Sequence, residues 1–526
     1  MSDEQRPESE ASSSRDDPIV EPENLRAAIE STARTEGWEA AADVFQQHWD
    51  LYATRAPEAL LEGLKGLPGE VFVARPSMLV AADYLHQVAA GQDPRRFHDG
   101  ARDLYRGVRQ PRELIDSLIA LTGRAAGART AGTLDKARQR AVEARRMLER
   151  AEETARVGAR GALPHLMFQW GRCLEVADAE GAIVEYEQSH ELGTLTEQGE
   201  IARRAAASLA WLLAERGRLG DARTWLARAQ ATDRDSPRYD APLHLTAALI
   251  AADELEDDLA AQELARVDDE SVGEYWGARL WVRAMIARGP LAPFIVSHAI
   301  AGESERHVAG LVREGANRRY LVRAATALAV ELGEDASLPA DIDEPSAADM
   351  LRRSLALHRS GAHAAARTQL RTALAVGLTP RDEAAAQLQL AAAERALDNE
   401  DAAKTAFCRA HALIGHEDLL RTYLALGRAE VKALCALTGL PLPERVATST
   451  RSMRGIPREV GRGPDLSALT RRERELLVLI ADDRSFAEIA EALFISPNTV
   501  KTLTRSLYRK LGVHSRAEAA ALARRT

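Results

Sequence analysis

Between Leu466 and Thr526 a hydroxyl residue is followed three positions later by glutamate three times: Thr470 with Glu473, Ser485 with Glu488, and Ser515 with Glu518. At that spacing each side chain can satisfy a backbone N–H of the other residue, so each pair predicts a helix start. Ser496-Pro497 marks a further start, a good N-cap followed by a proline at the first helical position. Gly512, directly after Leu511, supplies the residue without a Cβ that a left-handed helix end favours. The segment is therefore expected to fold as four short helices with tight joints.

The apolar spacing says how those helices pack. Leu476, Leu477, Leu479 and Ile480 give the first a core face, and Ile489, Ala490 and Leu493 do the same for the second. The third is expected from about Pro497 to Leu511. Val500, Leu503, Leu507 and Leu511 recur at steps of three or four and form its buried stripe. Lys501, Thr502, Arg505 and Arg509 then fall on the opposite face. A short helix that follows another after a tight turn, with basic and hydroxyl groups outward, suits a DNA major groove.

The strings LTRRERELL, EIAEALFISPNTVK, YRKLGV and SRAEA stand in the order and spacing of the LuxR-type helix-turn-helix, which this segment resembles. Two residues depart from that pattern: Leu503 replaces a usual histidine and Phe486 a common asparagine. Leu503 falls on the inward face, so altered packing is expected rather than lost DNA binding. The resemblance implies that Lys501, Thr502 and Arg505 read bases. The full candidate DNA-binding set is Ser496, Asn498, Thr499, Lys501, Thr502, Arg505, Arg509 and Lys510. Arg509 and Lys510 lie later, where the helix should be leaving the bases for the backbone. In the family the last helix pairs two subunits. A homodimer on DNA is expected, through a face bearing Ala517, Ala520, Ala521 and Leu522.

The resemblance covers little of a 526-residue chain, which is too long for one core. The charge divides the same way. From Arg451 onward 15 Lys and Arg face 9 Asp and Glu, a net of +6, so residues 1–450 carry −16 of the overall −10. An acidic body with a basic tail fits a nucleic-acid module joined to a part that avoids nucleic acid. Ala, Leu, Arg and Glu dominate, and Val/Ile-rich alternation is missing, so the expected class is all-α.

Within the body, an alanine followed by a bulky apolar residue four later and another residue seven later recurs. The sets are Ala182, Tyr186, Ser189; Ala222, Leu226, Ala229; Ala260, Leu264, Val267; Ala366, Leu370, Ala373; and Ala403, Phe407, Ala410. Successive starts differ by 40, 38 and, later, 37 residues. A second apolar helix precedes most of them, across a turn with Gly or Asp-Asn. A small residue lets a partner helix approach and a large one fills the groove. The pattern resembles the degenerate tetratricopeptide-like solenoids of larger LuxR regulators, with periods longer than the usual ~34.

The expected organisation is a disordered acidic N-terminus over 1–22, a helical-repeat sensor or interaction region over 23–440, a flexible linker over 441–465, and the helix-turn-helix over 466–526. Two helices hinged at Gly37 begin the body, with Ala41 and Phe45 inward. Residues 68–130 read as helical without a repeat. Pro and acidic residues in 288–345 predict a loop between two solenoid halves. LDKARQRAVEARRMLERAEETARVG reads as one long solvated helix laced with Glu–Arg pairs.

Signals for other classes are lacking. There is no phosphate-cradling G-x-x-x-x-G-K-[ST], no HExxH, no GxSxG and no paired-Cys motif. Cys173, Cys408 and Cys435 lie far apart in apolar helical contexts and read as buried reduced thiols. His165, His190, His244 and His298 sit singly and read as structural. The N-terminus has no apolar signal core, and no uncharged apolar run could span a membrane. The expectations are thus a cytoplasmic regulator of transcription without cofactor, metal or catalytic residues, binding double-stranded DNA. Its body would take a protein, peptide or small-molecule signal. A scaffold whose tail mediates protein contacts is the rival.

Overall fold

The computed structural model describes residues 20–52, 56–67, 71, 78, 114–130, 132–231, 240–267, 272–287, 296–297, 299–303, 316–332, 346–449, 469–481, 484–493, 495–511, 513, 515–516 and 519–520. Every regular element among them is helical. None of these helices is long and apolar enough to cross a membrane. The chain divides into two compact units, Met1–Ala120 and Leu121–Thr526.

In the first unit α1 (Leu25–Thr35), α2 (Trp38–Tyr52) and α3 (Pro57–Lys65) surround a core of Leu25, Ile29, Ala41, Phe45, Leu60 and Leu64. Gly37 turns the chain between α1 and α2 at φ 95°, a conformation that costs glycine least. Ala41 and Phe45 face inward as their spacing predicts. Of the 1–22 segment expected to be disordered, Val20 to Pro22 are placed. Val20 N–H donates to His48 Nε2 at 3.0 Å and its carbonyl accepts from the Tyr52 hydroxyl at 2.9 Å.

After α4 (Leu114–Thr130), the helix expected as one rod is two: α5 (Leu134–Arg150) and α6 (Glu153–Ala159). Ala151 and Glu152 are extended and end the first. Arg145 leaves the expected surface lattice to pair with the buried Glu185, a carboxylate whose burial would be costly without a counter-charge.

The body then proceeds by helix pairs: α7 (Leu163–Leu174) with α8 (Ala179–Leu195), α9 (Gly199–Arg216) with α10 (Leu219–Ala231), and α11 (Ala241–Asp253) with α12 (Asp257–Leu264). Further along come α13 (Trp276–Ile286) with α14 (Ala316–Leu332), α15 (Ala347–Arg359) with α16 (His363–Ala375), and α17 (Pro380–Ala396) with α18 (Glu400–Glu417). Ala182, Tyr186, Ser189, Ala366, Leu370, Ala373, Ala403, Phe407 and Ala410 are all fully buried. Gly171 shows why small meets large: a Cβ there would lie 2.7 Å from the Tyr186 ring. Left-handed residues close the hairpins at Gly217, Leu255, Gly361 and Asp398, freeing the next helix to fold back. Val267 departs from the expectation, because α12 ends at Leu264 and Val267 is buried beyond it.

Within the expected loop 288–345, residues 316–332 form α14, packed on α13. Its buried Tyr320, Leu321, Ala324, Ala325 and Leu328 keep helical spacing, which the Pro-rich and acidic flanks mask when the stretch is read as a whole. Of the cysteines only Cys173 is buried; Cys408 is exposed and Cys435 intermediate. Cys408 follows the inward Phe407 and so turns outward on α18.

A 3-10 turn, Leu420–Ala425, leads to α19 (Arg428–Thr438) and α20 (Glu444–Thr448). Residues 441–449, expected as the start of a structureless linker, are held on the body. Val446 is fully buried, the Arg428 guanidinium donates to the carbonyls of Ala447 and Ser449, and Arg445 pairs with Glu256 at 2.9 Å. Residues 450–468 lie outside the described residues.

Candidate nucleic-acid interface

The tail builds its own core. Leu476, Leu477, Leu479 and Ile480 of α21 (Arg471–Ala481), Ile489 and Ala490 of α22 (Phe486–Ala492), and Val500, Leu507 and Leu511 of α23 (Pro497–Leu511) form one buried cluster, with Leu493, Ala519 and Ala520. The start and end of α23 match the sequence expectation.

Helix starts follow the hydroxyl–glutamate spacing. Ser485 N–H donates to the Glu488 carboxylate at 2.7 Å, and Glu488 N–H donates back to Ser485 Oγ at 3.3 Å. Thr470 and Glu473 make the same reciprocal pair at 2.7 and 3.3 Å. Thr499 N–H donates to Ser496 Oγ at 3.1 Å, capping α23. Gly512 and Glu518, and with Glu518 the third box, lie outside the described residues.

The pivot between α22 and α23 is short. Ile495 N–H donates back to the Ala490 carbonyl at 3.0 Å, closing α22 before Ser496 opens α23. Phe486, the departure at the start of α22, packs against the core beneath the Arg516 guanidinium, 5.6 Å from its ring centre. Leu503 is half-buried against the same core, as its inward position predicts.

The opposite face of α23 is open. Ser496, Asn498, Thr499, Lys501, Thr502, Arg505 and Arg509 are exposed. Among the described residues no ion pair engages Lys501, Arg505 or Arg509. Their cationic groups therefore stand free on one face, from Lys501 near the N-terminus, whose backbone N–H groups and dipole end favour anions, to Arg509 in the last turn. Such a face can donate to phosphates and to guanine O6 and N7.

Lys510 corrects the candidate set. Its ammonium turns back to Glu473 Oε2 at 2.6 Å, and Ser506 Oγ donates to Glu473 Oε1 at 2.6 Å. Glu473 is 2% exposed. Desolvation pushes its carboxyl up, but hydrogen bonds from Lys510, Ser506 and Thr470 outweigh that and hold it down at about 2. A buried carboxylate thus locks the start of α21 to the end of α23. The sequence carried a sign of this: Ser506 and Lys510 are four apart, one helical turn, on the margin of the apolar stripe.

The dimer face expected on the last helix is changed where it is described. Ala520 is buried in the domain's own core, and Ala517, Ala521 and Leu522 lie outside the described residues. Elsewhere, His190 Nδ1 sits 2.9 Å from the Ala202 carbonyl and His244 Nδ1 2.9 Å from a Glu263 carboxylate oxygen. His298 is outside the described residues, and no group of His, Cys, Asp and Glu among the described ones could hold a metal.

Residues 467–523 match the family model described as bacterial regulatory proteins, luxR family. Over 62 residues the chain is 48% identical to the probable transcriptional regulatory protein NarL of Mycobacterium tuberculosis, covering 12% of this chain and 29% of that protein. It is 53% identical over 55 residues to the uncharacterized transcriptional regulatory protein YhcZ of Bacillus subtilis, covering 10% and 26%. It is 45% identical over 51 residues to the spore germination protein GerE of Bacillus subtilis, covering 10% and 69%. The chain thus spans under a third of the length of the first two of these relatives.

Proposed function

Because the chain belongs, through residues 467–523, to the luxR family of bacterial regulatory proteins, we propose that it is a cytoplasmic regulator of transcription that recognises DNA sequence with α23. The observation that carries this reading is the free cationic face of Lys501, Arg505 and Arg509 on a helix whose other face is locked into a core. Lys501, Thr502 and Arg505 are assigned to bases, and Ser496, Asn498, Thr499 and Arg509 to the entry and the backbone. Lys510 is assigned to holding the domain together.

The body is read as a tetratricopeptide-like solenoid that binds a signal rather than as an enzyme. Support comes from the fully buried triplets at Ala182, Ala366 and Ala403, with Leu226 and Leu264 half-buried in the other two sets, and from the left-handed turns that recur between paired helices. Two subunits would bind an inverted repeat with their α23 helices about one DNA turn apart.

Selection of duplexes from a random pool with the full-length protein tests the reading. An enriched inverted-repeat motif is expected. Binding without any enriched motif at low salt would instead favour a scaffold with a basic interaction module.

A further inference from the structure

Helices α13, α14, α15 and α17 and the 3-10 turn Leu420–Ala425 enclose an open-sided cavity of about 170 Å³. Its apolar wall includes Trp281, Met285, Leu351, Leu355 and Leu424. Three arginines reach the wall, and each is already committed. Arg381 forks onto Asp253 at 2.9 and 2.6 Å and donates to the Ala214 carbonyl at 2.8 Å. Arg323 pairs with Asp382 at 2.9 Å, and Arg421 pairs with Asp257 and donates to the Met285 carbonyl at 2.6 Å. An ionic ligand would find no free counter-charge here and would have to break a buried pair.

Two polar atoms of the same wall are orphaned among the described residues: Gln389 Oε1, on a side chain whose residue is 3% exposed, and Arg323 Nε. Packed interiors rarely leave an amide oxygen dry and unpaired, because it loses its water and gains nothing. Gln389 lines the cavity while its Oε1 lies just beneath the wall, and the last torsion of a glutamine is soft, so the amide can rotate to present Oε1 to a ligand. Apolar cavities of ~150 Å³ accept a benzene ring.

We propose that this cavity binds a small uncharged molecule with a ring-sized apolar body and one hydroxyl or amide N–H, donated to Gln389 Oε1. The assignment rests on the reading of the body as the signal-binding part and gives that signal a chemical class. The position suits the task. Thr422, Leu424 and Ala425 of the 3-10 turn line the cavity, and the same turn packs on α20, the last described helix before the DNA-binding domain.

Calorimetric titration of the full-length protein with benzyl alcohol and benzamide tests this, with toluene and benzoate as controls. Both neutral donors bind saturably, toluene binds more weakly, and benzoate does not bind. Gln389→Leu weakens benzyl alcohol roughly three- to ten-fold, as loss of one hydrogen bond requires, and leaves toluene unchanged. Ala327→Phe, which fills the cavity, removes both, with the helical circular dichroism retained. Benzyl alcohol binding no better than toluene, or equally well to Gln389→Leu, overturns the proposal even if Ala327→Phe fails to fold. Sequence selection on DNA in the same preparations separates this failure from failure of the DNA-binding reading.

Discussion

The Lys510 ammonium lies 2.6 Å from the Glu473 carboxylate, so the last turn of α23 is tied to the first turn of α21. A side chain in the first turn of α21 is thereby joined to the helix that presents the domain's cationic face.

That tie makes the domain acid-sensitive in a defined window. The folded Glu473 carboxyl sits at about 2 against an ordinary 4.5. The unfolded chain binds its proton more readily, so the contribution is complete above about 4.5 and is lost as pH falls toward 2. NMR titration of the Glu473 carboxyl carbon should show a midpoint well below that of an exposed glutamate. A midpoint near 4.5 would contradict the network.

Lys510→Met should lower stability by about 1–3 kcal/mol, because a buried carboxylate loses its cation. It should leave the salt dependence of DNA binding unchanged, whereas Arg509→Ala should reduce the salt slope by about one for each phosphate the shortened side chain no longer reaches. Denaturant melts and binding isotherms at several salt concentrations compare the two. Equal slopes for the two variants would merge roles that the geometry separates.

Gly217 ends α9 at φ 88°, and a Cβ there would lie 2.6 Å from the backbone nitrogen of Arg381. Gly217→Ala therefore meets both backbone strain and a clash that no side-chain rotation relieves. A loss of at least ~1–3 kcal/mol is expected in urea melts of the full chain. A neutral effect would mean that α9 and α17 do not approach as described.

Local chemistry written into neighbouring residues was legible in the sequence. The Ser485–Glu488 box, the extent of α23 and the triplets at Ala366 and Ala403 all depend on contacts within one or two turns. What escaped depends on partners far along the chain. The Lys510–Glu473 pair spans 37 residues and the Arg381–Asp253 fork 128, and no local spacing announces either. The helix Ala316–Leu332 was obscured because its flanks carry the breakers. The docking of residues 444–449 was hidden because it rests on one buried Val446 and on bonds made by Arg428 and Arg445 to partners distant in sequence, not on a periodic face.

Residues 450–526 should fold alone, since among the described residues the apolar cluster of the tail draws on residues 469–520. Circular dichroism of that fragment should show a helical spectrum with a cooperative melt. On an inverted-repeat duplex, sedimentation should give two fragments per DNA. A random-coil spectrum, or one fragment per duplex at saturation, would contradict the boundary or the dimer.

Parallel selection from one random DNA pool with the wild-type chain and with Arg505→Ala tests the base-reading role of α23 most directly. Arg505 is exposed, unpaired among the described residues, and one helical turn beyond Lys501 on the open face. A bidentate guanidinium contact discriminates bases by about 1–3 kcal/mol. The wild type should enrich an inverted repeat, and Arg505→Ala should lose preference at one or two positions in each half-site while keeping the rest. An unchanged motif from Arg505→Ala would show that this face does not read sequence through that residue.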